Sequence, residues 1–151
     1  MDIRKNFLAG TWYPEKKEEI IEILEPSYEE EKHIQEYYAA VVPHAGWVFS
    51  GKTAAGAVRP LCQNKDLIII IGGHLPAGYP VLAAVENYIQ VPEGKVKNRT
   101  DLISKLSERM EIQEDSLRDN TVEVIIPMAA YYSKNADVMW LRAPSDLKSI
   151  Q

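Results

Sequence analysis

The stretch VVPHAGWVFSGKTAAGAV, residues 41–58, joins an apolar run to an alanine-rich segment, and it decides the fold. The first two residues of this stretch are the end of a continuous apolar run, Tyr37–Val42, which Pro43 closes. This run predicts a strand buried on both faces. Lys52–Leu61 is compatible with a helix, and Leu67–Ile71, closed by two glycines, predicts a second buried strand. Strand, helix and strand in this order indicate a right-handed crossover in a parallel sheet.

The remaining segments continue the alternation of helices and strands. Amphipathic patterns predict helices over Pro14–Leu24 and over Thr100–Met110, and VPEG at 91–94 predicts a turn. Ser27–Gln35 is polar and strongly acidic, and its pattern fits a short helix or a solvated connector equally well. By composition, strands are predicted over Pro80–Tyr88, Val122–Ile126 and Asp137–Leu141.

The composition is that of one globular domain. A chain of 151 residues, of which 46% are hydrophobic and 26% charged, can bury a core of its own. We therefore expect a single α/β domain over residues 1–151, with a mostly parallel sheet flanked by helices. Cys62 is the only cysteine, which excludes an internal disulfide and predicts a small apolar residue near a helix end.

The charge pattern argues against nucleic acid and membrane as partners. The net charge is −5, and the acidic residues concentrate in Glu15–Glu36, so no continuous basic face is available to neutralise phosphates. The longest wholly apolar stretch, Leu67–Ile71, is far shorter than a membrane span. Met1–Leu8 carries basic residues without the apolar core of a signal peptide after them. These features predict a cytoplasmic protein.

The octet GWVFSGKT, residues 46–53, matches G-x-x-x-x-G-K-[ST], the pattern of a loop that cradles phosphate. Its place between a predicted strand and a predicted helix favours nucleotide binding, because amides at a helix start can hold phosphate. However, Trp47, Val48 and Phe49 suit neither close backbone approach nor positive φ angles. The next strand ends in GGH and not in the aspartate that would hold magnesium. Nucleotide binding through this octet is therefore the least favoured function.

Two histidines follow the two predicted strands of the crossover. His44 and His74 each come just past the carboxyl end of a strand, the edge at which open α/β sheets bind ligands. If the strands are neighbours, the two imidazoles face one crevice and could bind a divalent metal such as iron. The alternative is that each histidine hydrogen-bonds a backbone carbonyl and stabilises its turn. His33, in the acidic EEEKHIQE stretch, is expected to be a solvated surface side chain.

Five ordered motifs resemble those of the Memo family. PHAGWVFSGKTAAGA at 43–57 is similar to its Pro-His-Ala-Gly-Tyr-x-Tyr-Ser-Gly-x-x-Ala-Ala motif, and this similarity explains the octet without a nucleotide. AGTWYP resembles Ala-Gly-x-Trp/Phe-Tyr-Pro, and IIIIGGH is one residue shorter than Leu-Gly-Pro-x-His. VPEGKV resembles Thr-Pro-Leu-Gly-x-Val, and DNTVEVIIPM resembles Glu-His-Ser-x-Glu-x-x-Leu-Pro. The matches extend over residues 9–128.

The resemblance implies a fold similar to that of the class III extradiol ring-cleaving dioxygenases. In the family, the histidines that correspond to His44 and His74 belong to a metal-binding pocket. A third pocket histidine is replaced here by Asn120, which is a poor metal ligand and cannot act as a general base. The resemblance also implies that residues 120–132 are helical, against the compositional prediction of a strand. The other residues expected to line the pocket are Trp47, Ser50, Asp119 and Glu123.

The chain departs from the family in its length. Memo-family chains are roughly twice as long, and their second half supplies further pocket residues, including a cysteine ligand, so this chain resembles a reduced version of the fold. An extradiol iron site needs two histidines and a carboxylate, for which Asp119 and Glu123 are the candidates here. A half-length sheet would also leave an apolar edge open, which predicts homo-oligomerisation.

Two hypotheses from different classes follow. The first is a Memo-like binding or interaction module that is non-catalytic, with His44 and His74 as remnants or weak metal ligands. The second is an iron-dependent oxidoreductase of the extradiol dioxygenase type, in which Asp119 or Glu123 completes the ligand shell. The metal content of the purified protein distinguishes them.

Overall fold

A computed structural model describes residues 2–25 and 37–146. The chain alternates short strands and helices, as the sequence predicts for an α/β domain. In chain order the elements are β1 Ile3–Arg4, α1 Lys17–Leu24, α2 Trp47–Leu61, β2 Leu67–Gly72, β3 Val81–Ala83, β4 Tyr88–Val91, β5 Gly94–Lys97, α3 Thr100–Ser107, β6 Ile112–Glu114, α4 Asn120–Glu123, α5 Ile126–Tyr132 and β7 Asp137–Arg142.

The described strands form two mixed sheets. The larger sheet has the order β2-β7-β3-β6, in which β2 with β7 and β3 with β6 run parallel while β3 and β7 run antiparallel. The smaller sheet has the order β1-β4-β5, with β1 and β4 parallel and β4 and β5 joined as a hairpin. The expected α/β fold is therefore confirmed: three of the five strand pairings among the described residues are parallel, and they are divided between two mixed sheets that are flanked by helices.

The two faces of the larger sheet are covered differently. One face packs against the helices α1, α2, α4 and α5 in a single core that includes Trp47, Val58, Ile68, Ile70, Val138 and Trp140. The other face packs against α3, whose Ile103 meets Met139 and Leu141 of β7. Because α3 is short, it covers β7 and β3 but leaves Ile69 and Ile71 of β2 exposed.

Most of the elements expected from periodicity are present, with different ends. The helix expected over Pro14–Leu24 begins at Lys17, and the one expected over Thr100–Met110 ends at Ser107. Of the strand predicted over Pro80–Tyr88, only Val81–Ala83 (β3) and Tyr88, the first residue of β4, are strand. The carbonyls of Ala84 and Glu86, in the loop between them, accept hydrogen bonds from Nδ2 of Asn98. The turn at 91–94 closes the β4–β5 hairpin.

Three further expectations have clear outcomes. β2 forms over Leu67–Gly72, β7 forms over Asp137–Arg142, and Cys62 is a buried residue at the end of α2. Burial raises the pKa of the Cys62 thiol to about 12, which suits an apolar packing role. The acidic segment Ser27–Gln35 and His33 within it lie outside the described residues.

The strand predicted over Tyr37–Val42 is wrong. These residues form no strand in the structure, and Val41 is 100% exposed. They approach Ile68–Ile71 across a cavity, while β2 forms its ladder with β7 on its other edge. A continuous apolar run predicts a buried segment, but it does not specify a hydrogen-bonding partner, and in this chain the neighbouring strand edge remains unpaired with it.

The compositional strand over Val122–Ile126 is also wrong, and the helical alternative is confirmed. Asp119 caps α4 by accepting a hydrogen bond from the Thr121 amide, and Pro127 lies in the first turn of α5, where a missing amide hydrogen costs nothing. The apolar residues of this segment are buried on the sheet.

Among the described residues, every helix falls short of the length and apolar character that a membrane span requires.

Candidate functional site

His44 lies in the loop that leads into α2. Gly46 precedes the first helical residue, and the amide of Trp47 donates to the carbonyl oxygen of Trp12 at 2.8 Å, which anchors the loop to the amino-terminal segment. The indole Nε1 of Trp47 donates to the Val124 carbonyl at 2.8 Å inside the core. These two bonds hold His44 half-buried beside the start of α4.

His74 follows β2 after a pair of glycines. Its φ of +59° is in the left-handed region, which non-glycine residues adopt when surrounding contacts impose it. The ring centroids of His44 and His74 are 5.0 Å apart, and the ring planes are nearly perpendicular at 83°. The structure thus brings the two predicted histidines together, although the described residues directly before His44, 37–43, form no strand that could pair with β2.

Asn120, the first residue of α4, bonds His44 twice. Its Nδ2 donates to the His44 carbonyl oxygen at 2.7 Å and lies 3.0 Å from the ring Nδ1. One side-chain amide therefore binds both the main chain and the ring of His44. Asn120 is therefore part of the site between His44 and His74, which we call the cleft.

Asp119 supports His74 from the opposite side. Its Oδ2 accepts from His74 Nδ1 at 3.1 Å and lies 3.3 Å from Arg142 Nη2, while Oδ1 accepts from the Thr121 amide at 2.8 Å. Burial raises the pKa of Asp119, but the hydrogen bonds from Thr121, the charge of Arg142 and the contact with His74 together lower it. Asp119 is therefore a carboxylate at neutral pH.

A buried ionic group lies behind Asp119. Arg142, at the end of β7, donates to Asp115 Oδ1 at 3.2 Å and to the Gly73 carbonyl at 3.1 Å. Asp115 is fully buried, accepts from Trp140 Nε1 at 2.9 Å, and is also held by Arg4, which donates to its main-chain oxygen. This group connects the ends of β1, β2 and β7 and fixes the position of Asp119.

Three residues of this ionic group were not predicted from the sequence, namely Arg142, Asp115 and Arg4. Arg142 comes directly after the predicted strand Asp137–Leu141, so the rule that found His74, a polar residue at the carboxyl end of a strand, could also have found it. Asp115 and Arg4 lie in segments without periodicity, and their burial comes from contacts far apart in the sequence. No local signal indicates them.

The other expected pocket residues have contacts elsewhere. Glu123 is only 4% exposed, and its Oε1 accepts from the Leu8 amide at 2.7 Å and from the Tyr13 hydroxyl at 3.1 Å. Ser50 Oγ donates to the Ala45 carbonyl at 3.2 Å. The two bonds to Glu123 attach the amino-terminal segment to α4, and the indole bond of Trp47 attaches the start of α2 to the core. The Ser50 bond links α2 to the loop before it.

A comparison with known families identifies the chain. The family model described as Memo-like protein matches residues 4–142. The chain belongs to the Memo-like family. Its similarity to individual proteins agrees, because it is 32% identical over 148 residues to a MEMO1 family protein of Pyrobaculum arsenaticum and 32% identical over 139 residues to one of Nitrosopumilus maritimus. A MEMO1 family protein of Pyrococcus abyssi is 31% identical over 144 residues.

These relatives are longer than this Memo-family chain. The three alignments include 87%, 83% and 89% of this chain but only 53%, 50% and 49% of the relatives. The chain therefore spans about half the length of the curated relatives that it matches. The region of similarity contains both histidines, Asp119 and Asn120.

In this Memo-family chain, the octet GWVFSGKT, which matches the pattern of a phosphate-cradling loop, is helical from Trp47 onward. α2 begins at Trp47, and the amides of Phe49 and Ser50 donate to the Gly46 carbonyl at 2.9 and 3.2 Å. A phosphate-cradling loop needs several amides that are free to point at the ligand. Residues 46–53 instead form the first turns of a helix, whose Val48 and Phe49 are exposed.

The ligand set of this Memo-family cleft does not fit an extradiol iron. Such an iron uses two histidines and a carboxylate. Within residues 2–25 and 37–146, no group of three His, Cys, Asp or Glu side chains is arranged to hold a metal ion. Asp119 is the nearest carboxylate, and it is already held by Thr121, Arg142 and His74.

Proposed function

We propose that this chain is a non-catalytic Memo-family binding module whose cleft between His44 and His74 holds a divalent metal weakly at most. The single observation that supports the proposal is the ligand set of the cleft. Two imidazoles meet at a centroid distance of 5.0 Å, and the neighbouring Asp119 and Asn120 side chains are engaged in bonds that maintain the loops.

The alternative from the sequence, an iron-dependent oxidoreductase of the extradiol type, requires a third protein ligand and an acid or base beside the substrate. Glu123 was one candidate, but its carboxylate bonds Leu8 and Tyr13. Asp119, the other candidate, already contacts Arg142 and Thr121, and coordination of a metal by its carboxylate would remove one of the two carboxylate partners of the buried Arg142 guanidinium. The geometry therefore supports the binding module better than the enzyme.

The module is proposed to act as a homo-oligomer. Ile69 and Ile71 point from β2 to the side of the sheet that α3 covers only in part, and they are 51% and 65% exposed. Val41, which is fully exposed, lies along the same edge. Among the described residues, the edge of β2 opposite β7 has no paired strand, and an apolar surface beside such an edge favours association with another chain, so a second copy would shield it.

Metal analysis tests the proposed function. Untagged protein is purified under anaerobic conditions, incubated with ferrous iron, separated from free metal and analysed by elemental mass spectrometry. The proposal predicts well below one iron per chain, and His44→Ala and His74→Ala variants with the same metal content and the same melting temperature as the parent. Near-stoichiometric iron that is lost in both variants, together with cleavage of a catechol in oxygen, would establish the enzyme instead.

A further inference from the structure

The orientation of the Asn120 side chain is determined by a main-chain group. Its Nδ2 donates to the His44 carbonyl oxygen at 2.7 Å. If the amide were turned by half a rotation, Oδ1 would face that carbonyl, and two acceptors would be in contact without a hydrogen between them. The carbonyl thus requires the NH₂ group to face His44, and the same group reaches the ring nitrogen Nδ1 at 3.0 Å.

This donor determines which tautomer His44 adopts. A neutral imidazole has one N–H donor and one acceptor nitrogen. Because Nδ1 of His44 accepts from Asn120, the ring hydrogen must be on Nε2. A metal ion binds a nitrogen lone pair, so Nε2 of His44 is closed to coordination as long as Asn120 bonds Nδ1.

His74 is held in the opposite tautomer. Its Nδ1 faces the Asp119 carboxylate at 3.1 Å, and an ionised carboxylate only accepts, so Nδ1 of His74 carries the hydrogen. Nε2 of His74 then has the free lone pair. Among the described residues, neither Nε2 has a hydrogen-bond partner. The cleft therefore presents one N–H donor, from His44, and one acceptor, from His74.

We infer that Asn120 is the residue that restricts this cleft to one imidazole ligand, by holding His44 in the Nε2–H tautomer. The inference rests on the proposed weak metal binding and gives it a cause. A carboxylate or backbone carbonyl that hydrogen-bonds a ligating histidine normally accepts from one ring nitrogen, so the lone pair of the other ring nitrogen is available to the metal. Asp119 accepts from Nδ1 of His74 and so leaves the Nε2 lone pair of His74 free. Asn120 donates to Nδ1 of His44 and so keeps the ring hydrogen of His44 on Nε2.

The tautomers are measured first in the unmodified chain. Nitrogen-15 NMR of histidine-labelled protein at pH 8 distinguishes protonated from unprotonated ring nitrogens. The inference predicts an unprotonated Nδ1 and a protonated Nε2 in His44, and the reverse in His74. A protonated Nδ1 in His44 would overturn it. This experiment requires no substitution, so it decides the inference even if a variant fails to fold.

The consequence for metal is tested with Zn²⁺ by calorimetry on the wild type, Asn120→Ala, and Asn120→Ala combined with His44→Ala. Removal of the Asn120 amide frees His44 to adopt the other tautomer, so Asn120→Ala should bind Zn²⁺ at least about tenfold more tightly than the wild type. Addition of His44→Ala should abolish that gain. Equal affinity in the wild type and Asn120→Ala, or a gain that persists without His44, would overturn the inference. Tight Zn²⁺ binding by the wild type would instead refute the proposed function.

Discussion

Gly72 permits the close packing of β2 against α4 on which the cleft depends. A Cβ atom at this position would lie 2.2 Å from Thr121 Oγ1 and 2.7 Å from Val122 Cγ2, far inside contact distance. Both neighbours are buried at the start of α4. The Thr121 amide also donates to Asp119, and Asp119 accepts from His74. A displacement of Thr121 would therefore also displace Asp119 and His74.

Gly72→Ala should therefore destabilise the protein by about 1–3 kcal/mol, the usual cost of forcing extra atoms into a packed core. Urea unfolding followed by circular dichroism measures the change. Gly73→Ala is the matched control, since a Cβ there has no atom within 4 Å, and it should change stability by less than about 0.5 kcal/mol. Equal stability of the two variants would show that α4 moves away from β2 without cost.

At the scale of single residues, His44 and His74 were named because each follows an apolar run, and Asp119 was named through the resemblance to the Memo family. The structure brings the three side chains together. Asp115 could not be named, because its burial results from contacts with Arg4 and Trp140 that lie more than twenty residues away. The direction of the Asn120 hydrogen bond also depends on a carbonyl position that only the fold specifies.

At the scale of elements, α4 is attached to the amino-terminal segment through Glu123. Burial is the largest influence on this carboxyl group, and it raises the pKa of Glu123 above its ordinary value although Leu8 and Tyr13 donate to it. A raised pKa means that the folded chain keeps the proton at pH values at which the unfolded chain has lost it. This contribution to stability is present below about pH 4.3 and is lost as the pH rises through the folded pKa.

Glu123→Gln should reverse that loss, because glutamine keeps an acceptor for the same two donors without a charge. We expect the free energy of unfolding of the variant, relative to the wild type, to rise from pH 4 to pH 7. Urea denaturation at each pH gives this difference and cancels the titration of all other groups. A difference that does not vary with pH would mean that Glu123 ionises in the folded state as easily as in the unfolded state.

The errors at the element scale have one physical origin. Apolar runs indicate burial, and burial alone does not distinguish a strand from a buried helix or an extended segment. Residues 122–126 are buried at the junction of two short helices, because Asp119 caps α4 and Pro127 lies in the first turn of α5. Tyr37–Val42 has no such signals, and among the described residues no strand forms a β-ladder with it. The strands predicted over Leu67–Ile71 and Asp137–Leu141 do form, each one residue longer than predicted, and they pair with each other in parallel.

At the scale of the whole molecule, the larger sheet has unequal coverage. The register pairs Ile69 with Met139 and Ile71 with Leu141, so these four side chains share one face of the sheet. α3 packs on Met139 and Leu141 of β7 and leaves Ile69 and Ile71 of β2 exposed. The curated relatives that the chain matches are about twice as long as it is.

Ile71→Lys tests whether a second copy covers this face. The side chain is 65% exposed, so the substitution should leave the far-ultraviolet spectrum unchanged while it places a charge on the proposed contact surface. Size-exclusion chromatography with light scattering at tens of micromolar should give an oligomer for the wild type and a monomer for Ile71→Lys. Val48→Lys, a lysine at an 86% exposed position on α2, should keep the wild-type mass. A monomeric wild type would contradict the prediction that a second copy of the chain covers this face, because the apolar surface would then remain exposed to water.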